Sequence, residues 1–154
     1  MNDGYGHEVG DVLLIEIARR LVEKCRKGDF VARLGGDEFC VFLEGCDLEQ
    51  ATKVADRFRD AVASAFVMVG TAKVQRSASF GATELRVDQP LVDALYVADA
   101  AAYSAKSAGR NAVRGSDPGV MEMLTDRRGN TTPEELQTAL DNDEITYFVE
   151  PFSI

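Results

Sequence analysis

Apolar and polar positions divide the chain into alternating helical and extended segments. In residues 11–25 (DVLLIEIARRLVEKC), Leu14, Ile17, Ala18, Leu21 and Cys25 recur at helical spacing, while Glu16, Arg19, Arg20 and Glu23 take the other side. Gly10-Asp11 supplies an acceptable start. Residues 30–34 (FVARL) and 38–44 (EFCVFLE) alternate or run apolar, and Gly35-Gly36 between them is a hairpin signal. Residues 47–66 read as a second helix, with Leu48, Ala51, Val54, Ala55, Phe58 and Val62 as its buried stripe and Asp47 as its cap. Residues 72–83 read as one strand, 91–107 as a third, alanine-rich helix able to pack closely, and 111–114 as a short last strand.

This order of elements predicts an α+β sandwich: a mostly antiparallel central sheet flanked by helices. Such a sheet usually opens on a strand, whereas this chain opens on a turn-like NDGYG. Residues 116–132 carry turn residues without a period and read as a linker. Thr132 with Glu135 three residues on is a capping-box pattern ahead of a short helix over 133–142. The strand ITYFVEPFSI follows, apolar and with nothing expected to pack it.

Charge separates the two parts. The formal net charge is −9, but residues 1–114 hold 17 acids and 15 Lys or Arg, whereas residues 115–154 hold 9 acids and 2 bases. The near-neutral first part has no basic surplus for duplex nucleic acid. A small nucleotide needs only two or three local cations and is not excluded. With 154 residues and 45% apolar composition, the chain can bury one real core. Three cysteines without a CxxC pair fit reduced thiols in a cytosolic domain, Cys25 and Cys40 falling inside apolar runs as buried, inert thiols. No run of about 18 apolar residues predicts a membrane helix, and the polar N-terminus is no signal peptide.

Chemistry concentrates in RLGGDEF, residues 33–39. A tight turn with solvated polar residues would explain the glycines but not two adjacent carboxylates. Glycines also let a backbone approach a ligand closely. Adjacent carboxylates on a rigid turn can hold Mg2+, which takes oxygen ligands and often bridges to substrate phosphates, or one can steer a hydroxyl that must lose its proton. Lys106 and Arg110, four apart near a helix C-terminus, can present one face to a polyphosphate or simply complement the helix dipole. Asp11 can be a helix N-cap, a ligand, or both. His7, the only histidine, has no metal-ligating company and reads as packing or turn support.

Taken together, MNDGYGHEVGD, RLGGDEF and YSAKSAGRN, in order and at their spacing over residues 1–114, identify the chain as resembling the GGDEF family of diguanylate cyclases. The resemblance implies that two GTP-loaded domains face each other as a homodimer. Each 3′-hydroxyl attacks the α-phosphate of the other GTP, giving cyclic di-GMP and pyrophosphate with Mg2+ (or Mn2+) as cofactor. It assigns Asp37 and Glu38 to the metal and the catalytic step, Gly35 and Gly36 to close approach of the nucleotide, Asn2 and Asp11 to the guanine edge, and Lys106 and Arg110 to the terminal phosphates. It places an inhibitory product site at the RxxD of Arg26 and Asp29, joined by Arg57. A charged helix end and turn is the plain alternative for that trio.

The family also begins with a strand carrying a metal-binding aspartate, roughly eight residues ahead of the position of Asn2. That strand is expected to be missing here, which would impair catalysis and leave central sheet hydrogen bonds open. A catalytically inactive module binding GTP or cyclic di-GMP is the competing expectation, and a fragment of a longer protein is a third. Residues 132–154 resemble the opening helix and first strand of an EAL phosphodiesterase domain, Tyr147 to Pro151 fitting loosely with Glu150 where a glutamine is usual. The implied division is a GGDEF domain over 1–114, a linker over 115–131, and an incomplete EAL-like segment over 132–154.

Overall fold

The computed structural model describes residues 6–86, 90–117 and 146–150 of the chain, the last five and residues 6–7 by backbone alone. Helix α1 (Gly6–Lys24) leads into the hairpin of β1 (Phe30–Gly35) and β2 (Glu38–Phe42). Helix α2 (Leu48–Ser64) is followed by a small hairpin, β3 (Phe66–Val69) and β4 (Ala72–Gln75). Then come β5 (Phe80–Glu84), α3 (Leu91–Ser107), β6 (Val113–Gly115) and β7 (Thr146–Glu150). The main sheet has the order β1-β2-β7-β5-β6, and β3-β4 form a separate two-stranded ribbon.

The helices cover the two faces of this sheet. Leu13, Leu14, Ile17 and Leu21 of α1 and Ala51, Ala55, Phe58 and Val62 of α2 pack with Phe39, Val41, Phe80 and Ala82. Ala94, Ala98 and Ala102 of α3 pack on the opposite face with Cys40 and Phe42. The alternation along β2 divides its side chains between these two cores, as the period of two requires. Alanine in α3 permits the close packing expected of it: a Cβ on Gly81 of β5 would lie 1.9 Å from the carbonyl oxygen of Ala98. Asp47 caps α2 as expected, its side chain accepting from Gln50 N at 2.7 Å while the Gln50 side chain accepts from Asp47 N at 3.1 Å. Burial pushes the Cys40 thiol up to about 12, in keeping with an inert core cysteine, while Cys25 is only half-buried.

The α+β class is as expected, but several details differ. Helix α1 starts at Gly6, so Asp11 lies inside it and is not its N-cap. Gly10 is carried within the helix, where it loses a little propensity but meets no steric obstacle. The strand expected over 72–83 is two strands, β4 and β5, and the helix expected over 47–66 stops at Ser64, so that Phe66 opens β3 instead. Gly70, at φ +61°, turns the chain so that Val69 pairs with Ala72, and the run Phe66-Val67-Met68-Val69 suits an extended ladder. Ala65 is already extended, with ψ 135°, and ends α2.

The direction of the main sheet also differs from the mostly antiparallel expectation. β1 and β2 are antiparallel, but β2-β7, β7-β5 and β5-β6 are all parallel. The C-terminal strand makes two of these three parallel ladders. Residues 146–150, expected to have nothing to pack against, sit between β2 and β5 and run parallel to both. Thr146 is opposite Phe39 and Phe80, and Phe148 is opposite Val41 and Ala82. Residues 118–131 of the expected linker, the helix expected over 133–142, and Asn2 lie outside the described residues.

Candidate active site at the turn end of the sheet

Strand direction decides which residues can meet. β1 ends at Gly35 and β2 starts at Glu38, so the turn Gly36-Asp37 marks one end of the sheet. β7, β5 and β6 run parallel to β2, so their first residues, Thr146, Phe80 and Val113, lie at that same end. The loop 108–112 enters β6 there, and Phe80 N donates to Ala112 O at 2.9 Å. Three strand spacings separate β2 from β6, which puts the two loops roughly 14 Å apart across the sheet. Helix α1 ends at the far side, where it feeds β1, so its N-terminal turns with the exposed Asp11 lie toward the turn end.

The turn itself is tightly specified. Gly36 has φ +49°, a conformation glycine adopts without the penalty other residues meet. Arg33 donates from Nε and Nη2 to the Gly36 carbonyl at 2.9 and 2.6 Å, so one guanidinium holds the backbone beside Asp37. The ladder is irregular between Arg33 and Gly35, which bends the strand just before the turn. Asp37 and Glu38 are both half-buried at the mouth of this hairpin. Sequence reading passed over Arg33 as a site residue. Its signal was available, since the turn carbonyl of a glycine pair needs a donor and Arg33 lies three residues away.

Lys106 lies in the last turn of α3, but Arg110 is beyond the helix rather than four residues along one helical face. The helix closes at Ser107, Ala108 N and Arg110 N donate to the carbonyls of Ser104 and Lys106 at 3.0 and 3.1 Å, and the chain then turns sharply. Gly109, Arg110 and Asn111 take φ +115°, +59° and +47° in succession. Non-glycine residues held in this region cost of order 1–3 kcal/mol each and tend to cluster where function requires them. The turn end therefore gathers Gly35, Gly36, Asp37 and Glu38 on one side and Lys106 and Arg110 on the other.

The RxxD residues belong to the opposite end, about 20 Å away along the six residues of β1. Asp29 is almost fully buried, its side chain 3% exposed, and accepts from Arg26 N at 3.0 Å and Glu44 N at 3.1 Å. The Arg26 guanidinium donates to the Glu44 carbonyl and, at 2.9 Å, to the Cys46 sulfur. This network ties the start of β1 to the chain leaving β2. Arg57 lies on α2 in a shallow groove of about 370 Å3 against α1, beside Arg20, Glu23, Lys24 and Asp60.

Comparison with known proteins identifies the family. Residues 1–112 match the model of the family described as diguanylate cyclase, GGDEF domain. The chain belongs to the GGDEF family. The bifunctional diguanylate cyclase/cyclic di-GMP phosphodiesterase MucR of Pseudomonas aeruginosa is 38% identical over 112 residues, covering 72% of this chain and 16% of that protein. Two solved structures are also similar. The diguanylate cyclase SiaD of P. aeruginosa, solved with its activator SiaC, is 36% identical with a TM-score of 0.68, over 75% of this chain and 44% of that one. An EAL/GGDEF domain protein from M. capsulatus is 35% identical with a TM-score of 0.64, over 76% of each chain. The chain spans 16% to 32% of the length of the first curated relatives it matches. No helix among the described residues is long and apolar enough to cross a membrane.

Proposed function

We propose that this GGDEF domain is a diguanylate cyclase that condenses two GTP into cyclic di-GMP with release of two pyrophosphates. The reading is carried by the turn end of the sheet: adjacent carboxylates on a clamped glycine turn face, across the sheet, a backbone turn that carries Arg110. Gly35 and Gly36 admit the nucleotide against the hairpin. Lys106 and Arg110 hold the terminal phosphates, Arg through its planar fork and Lys as a point charge. Asp11, with Asn2, accepts hydrogen bonds from guanine N1 and N2. Asp37 steers the 3′-hydroxyl and takes up its proton as the bond to the α-phosphate forms.

The donor set at the turn, two carboxylates from successive residues, suits Mg2+ or Mn2+ shared with substrate phosphates. Asp37 and Glu38 would hold the ion, which would neutralise phosphate charge and polarise the α-phosphate. Among the described residues no cluster of three ligating side chains forms, so substrate oxygens would complete its shell. Because each GTP must supply its hydroxyl to the other, two copies facing each other as a homodimer are part of the proposal. Cytoplasmic location follows from the substrate. Arg26, Asp29 and Arg57 are proposed as the inhibitory product site, Arg26 and Arg57 being exposed and Asp29 almost fully buried in its side chain. Residues 132–154 are proposed to be related to the opening of an EAL domain, which the bifunctional relative supports.

The test is product formation. The chain is incubated with GTP and Mg2+ or Mn2+, and cyclic di-GMP and pyrophosphate are quantified. Asp37→Asn and Glu38→Gln, which keep side-chain size, are expected to lower turnover by at least about 100-fold with a much smaller effect on stability. Absence of both turnover and GTP binding in the unsubstituted chain refutes the reading.

A further inference from the structure

The Arg26 side chain is more than half exposed, yet the part of its guanidinium that a ligand would use is already bonded within the chain. Nη2 donates to the Glu44 carbonyl and, at 2.9 Å, to the Cys46 sulfur. Nε faces Asp29 Oδ1 at 3.5 Å, and the Arg26 backbone N–H donates to Asp29 Oδ2 at 3.0 Å. A guanidinium offers one hydrogen on Nε and two on each Nη. Its two forks are Nε with Nη2 and Nη1 with Nη2, so both need a hydrogen of Nη2. Two acceptors already face the two hydrogens that Nη2 has. In this arrangement Arg26 reaches a ligand only through Nη1, which gives single contacts and no fork.

The two acceptors on Nη2 are unequal. The Glu44 carbonyl belongs to the chain leaving β2, which is fixed by the bond from Glu44 N to the buried Asp29 carboxylate. Cys46 Sγ is a weak acceptor carried on a side chain. The sulfur is therefore the contact that gives way. We propose that Cys46 is a positioning residue for the product site: its sulfur holds Arg26 closed, and Arg26 must leave it to present a fork to cyclic di-GMP. The proposal rests on the reading of Arg26, Asp29 and Arg57 as that site. Cyclic di-GMP offers two partners for the fork, the adjacent O6 and N7 acceptors of guanine and the phosphate oxygens. A protein whose open state is a minor fraction binds more weakly by that fraction. Cys46 thereby lowers the affinity of the chain for the product.

The experiment titrates cyclic di-GMP calorimetrically into the full chain and its variants. Arg26→Ala is expected to weaken binding by about tenfold or more. Cys46→Ala removes the sulfur and is expected to bind about tenfold tighter than the parent. Cys46→Ser keeps an acceptor and is expected to stay within about threefold of the parent. A merely loosened RxxD turn would weaken binding, so the direction of the change separates release of Arg26 from damage to the fold. In the Arg26→Ala background, Cys46→Ala is expected to have no further effect. Equal or weaker binding by Cys46→Ala overturns the proposal, and so does the same gain in the Arg26→Ala background. In both cases the product site itself stands if Arg26→Ala alone weakens binding. Unchanged binding in Arg26→Ala, or no binding by parent and Cys46→Ala at millimolar ligand, overturns the site and the proposal with it. If Cys46→Ala fails to fold, Cys46→Val, which fills the space without an acceptor, is read in its place.

Discussion

Gly81→Ala tests the contact that fixes α3, and with it Lys106 and Arg110, against the sheet. An added Cβ at Gly81 would lie 1.9 Å from Ala98 O and 2.5 Å from Ala102 N, both backbone atoms of α3. Ordinary contact needs about 3.4 Å or more, so helix and strand must separate by roughly 1.5 Å. No side chain can rotate away to relieve it. Overpacking a close-packed interior typically costs about 1–3 kcal/mol, and a backbone obstacle belongs at or above the top of that range. Gly81 has no positive φ, so the cost comes from contact and not from backbone conformation. Gly115→Ala is the internal control. Its Cβ would meet Thr52 Cγ2 at 3.3 Å and Leu48 Cδ1 at 3.5 Å, both side-chain ends that can shift, so under about 1 kcal/mol is expected there. Urea denaturation of both variants, with a check that the m-value is unchanged, reads the difference. A loss of about 3 kcal/mol corresponds to a fall in Tm of about 10 °C for a domain of this size. If Gly81→Ala melts within about 2 °C of the parent, the α3–β5 contact does not have the closeness described. In a domain active on GTP, the same displacement should also reduce turnover, because misplacing a binding group by about 1 Å can cost about 100-fold.

Other substitutions address separate parts of the molecule. Asp29→Ala removes the acceptor for Arg26 N and Glu44 N from a buried position, and is expected to cost about 2–4 kcal/mol in urea denaturation. A variant with unchanged stability would remove the structural role assigned to the RxxD turn. Gly10→Ala, inside α1 with open space around its Cβ, should stabilise by about 0.5–1 kcal/mol, and a lower Tm would show that the glycine is needed for another reason. Hydrogen bonds from Arg19, then Arg20, hold Glu16 well below the usual carboxylate range, at about 2. A depressed carboxylate stabilises the fold above its ordinary value of 4.5 and loses that contribution as pH falls toward 2. Glu16→Gln should therefore be less stable than the parent at neutral pH, the gap closing by about pH 2, and a gap independent of pH would exclude the ion pairs as its cause.

Periodicity located the three helices and the glycine hairpin because each is set by local rules: a buried stripe, a capping box, a two-residue turn. It failed where tertiary pairing overrode them. Phe66 follows directly on a helical pattern and residues 67–69 carry no clear period, yet β-branched residues and the turn at Gly70 make 66–69 a strand. Asp11 reads as a cap because Gly10-Asp11 reads as a helix start, although a helix carries one glycine at modest cost. The site residues were legible as residue types. Their grouping was not, because it depends on strand direction, and the parallel run of β2, β7, β5 and β6 cannot be read from any one segment. Nor could spacing along the chain reveal that Arg110 leaves α3 before its side chain, since that follows from three successive positive φ values.

The two motifs that share the β1-β2 hairpin stand at opposite ends of it, and this constrains how one could affect the other. Arg26 and Asp29 bind the backbone of Glu44, just past β2, while Arg33 binds the backbone of Gly36, just before it. Between them the hairpin is a continuous antiparallel ladder, closed at the far end by stacked Phe30 and Phe42 rings 4.4 Å apart. Packed elements of this kind transmit displacement only if they possess two discrete arrangements. The irregularity between Arg33 and Gly35 is the one break in the ladder, and it lies next to the turn rather than next to Asp29. A ligand that drew Arg26 away from Glu44 would therefore loosen the far end first, and would reach Asp37 only by shifting β2 lengthwise against β7. Coupling between the two ends, if a product titration detects it, should accordingly weaken in Phe148→Pro, where the β2–β7 ladder is interrupted. Equal coupling in that variant and the parent would place the connection in another part of the fold, or between copies of the domain.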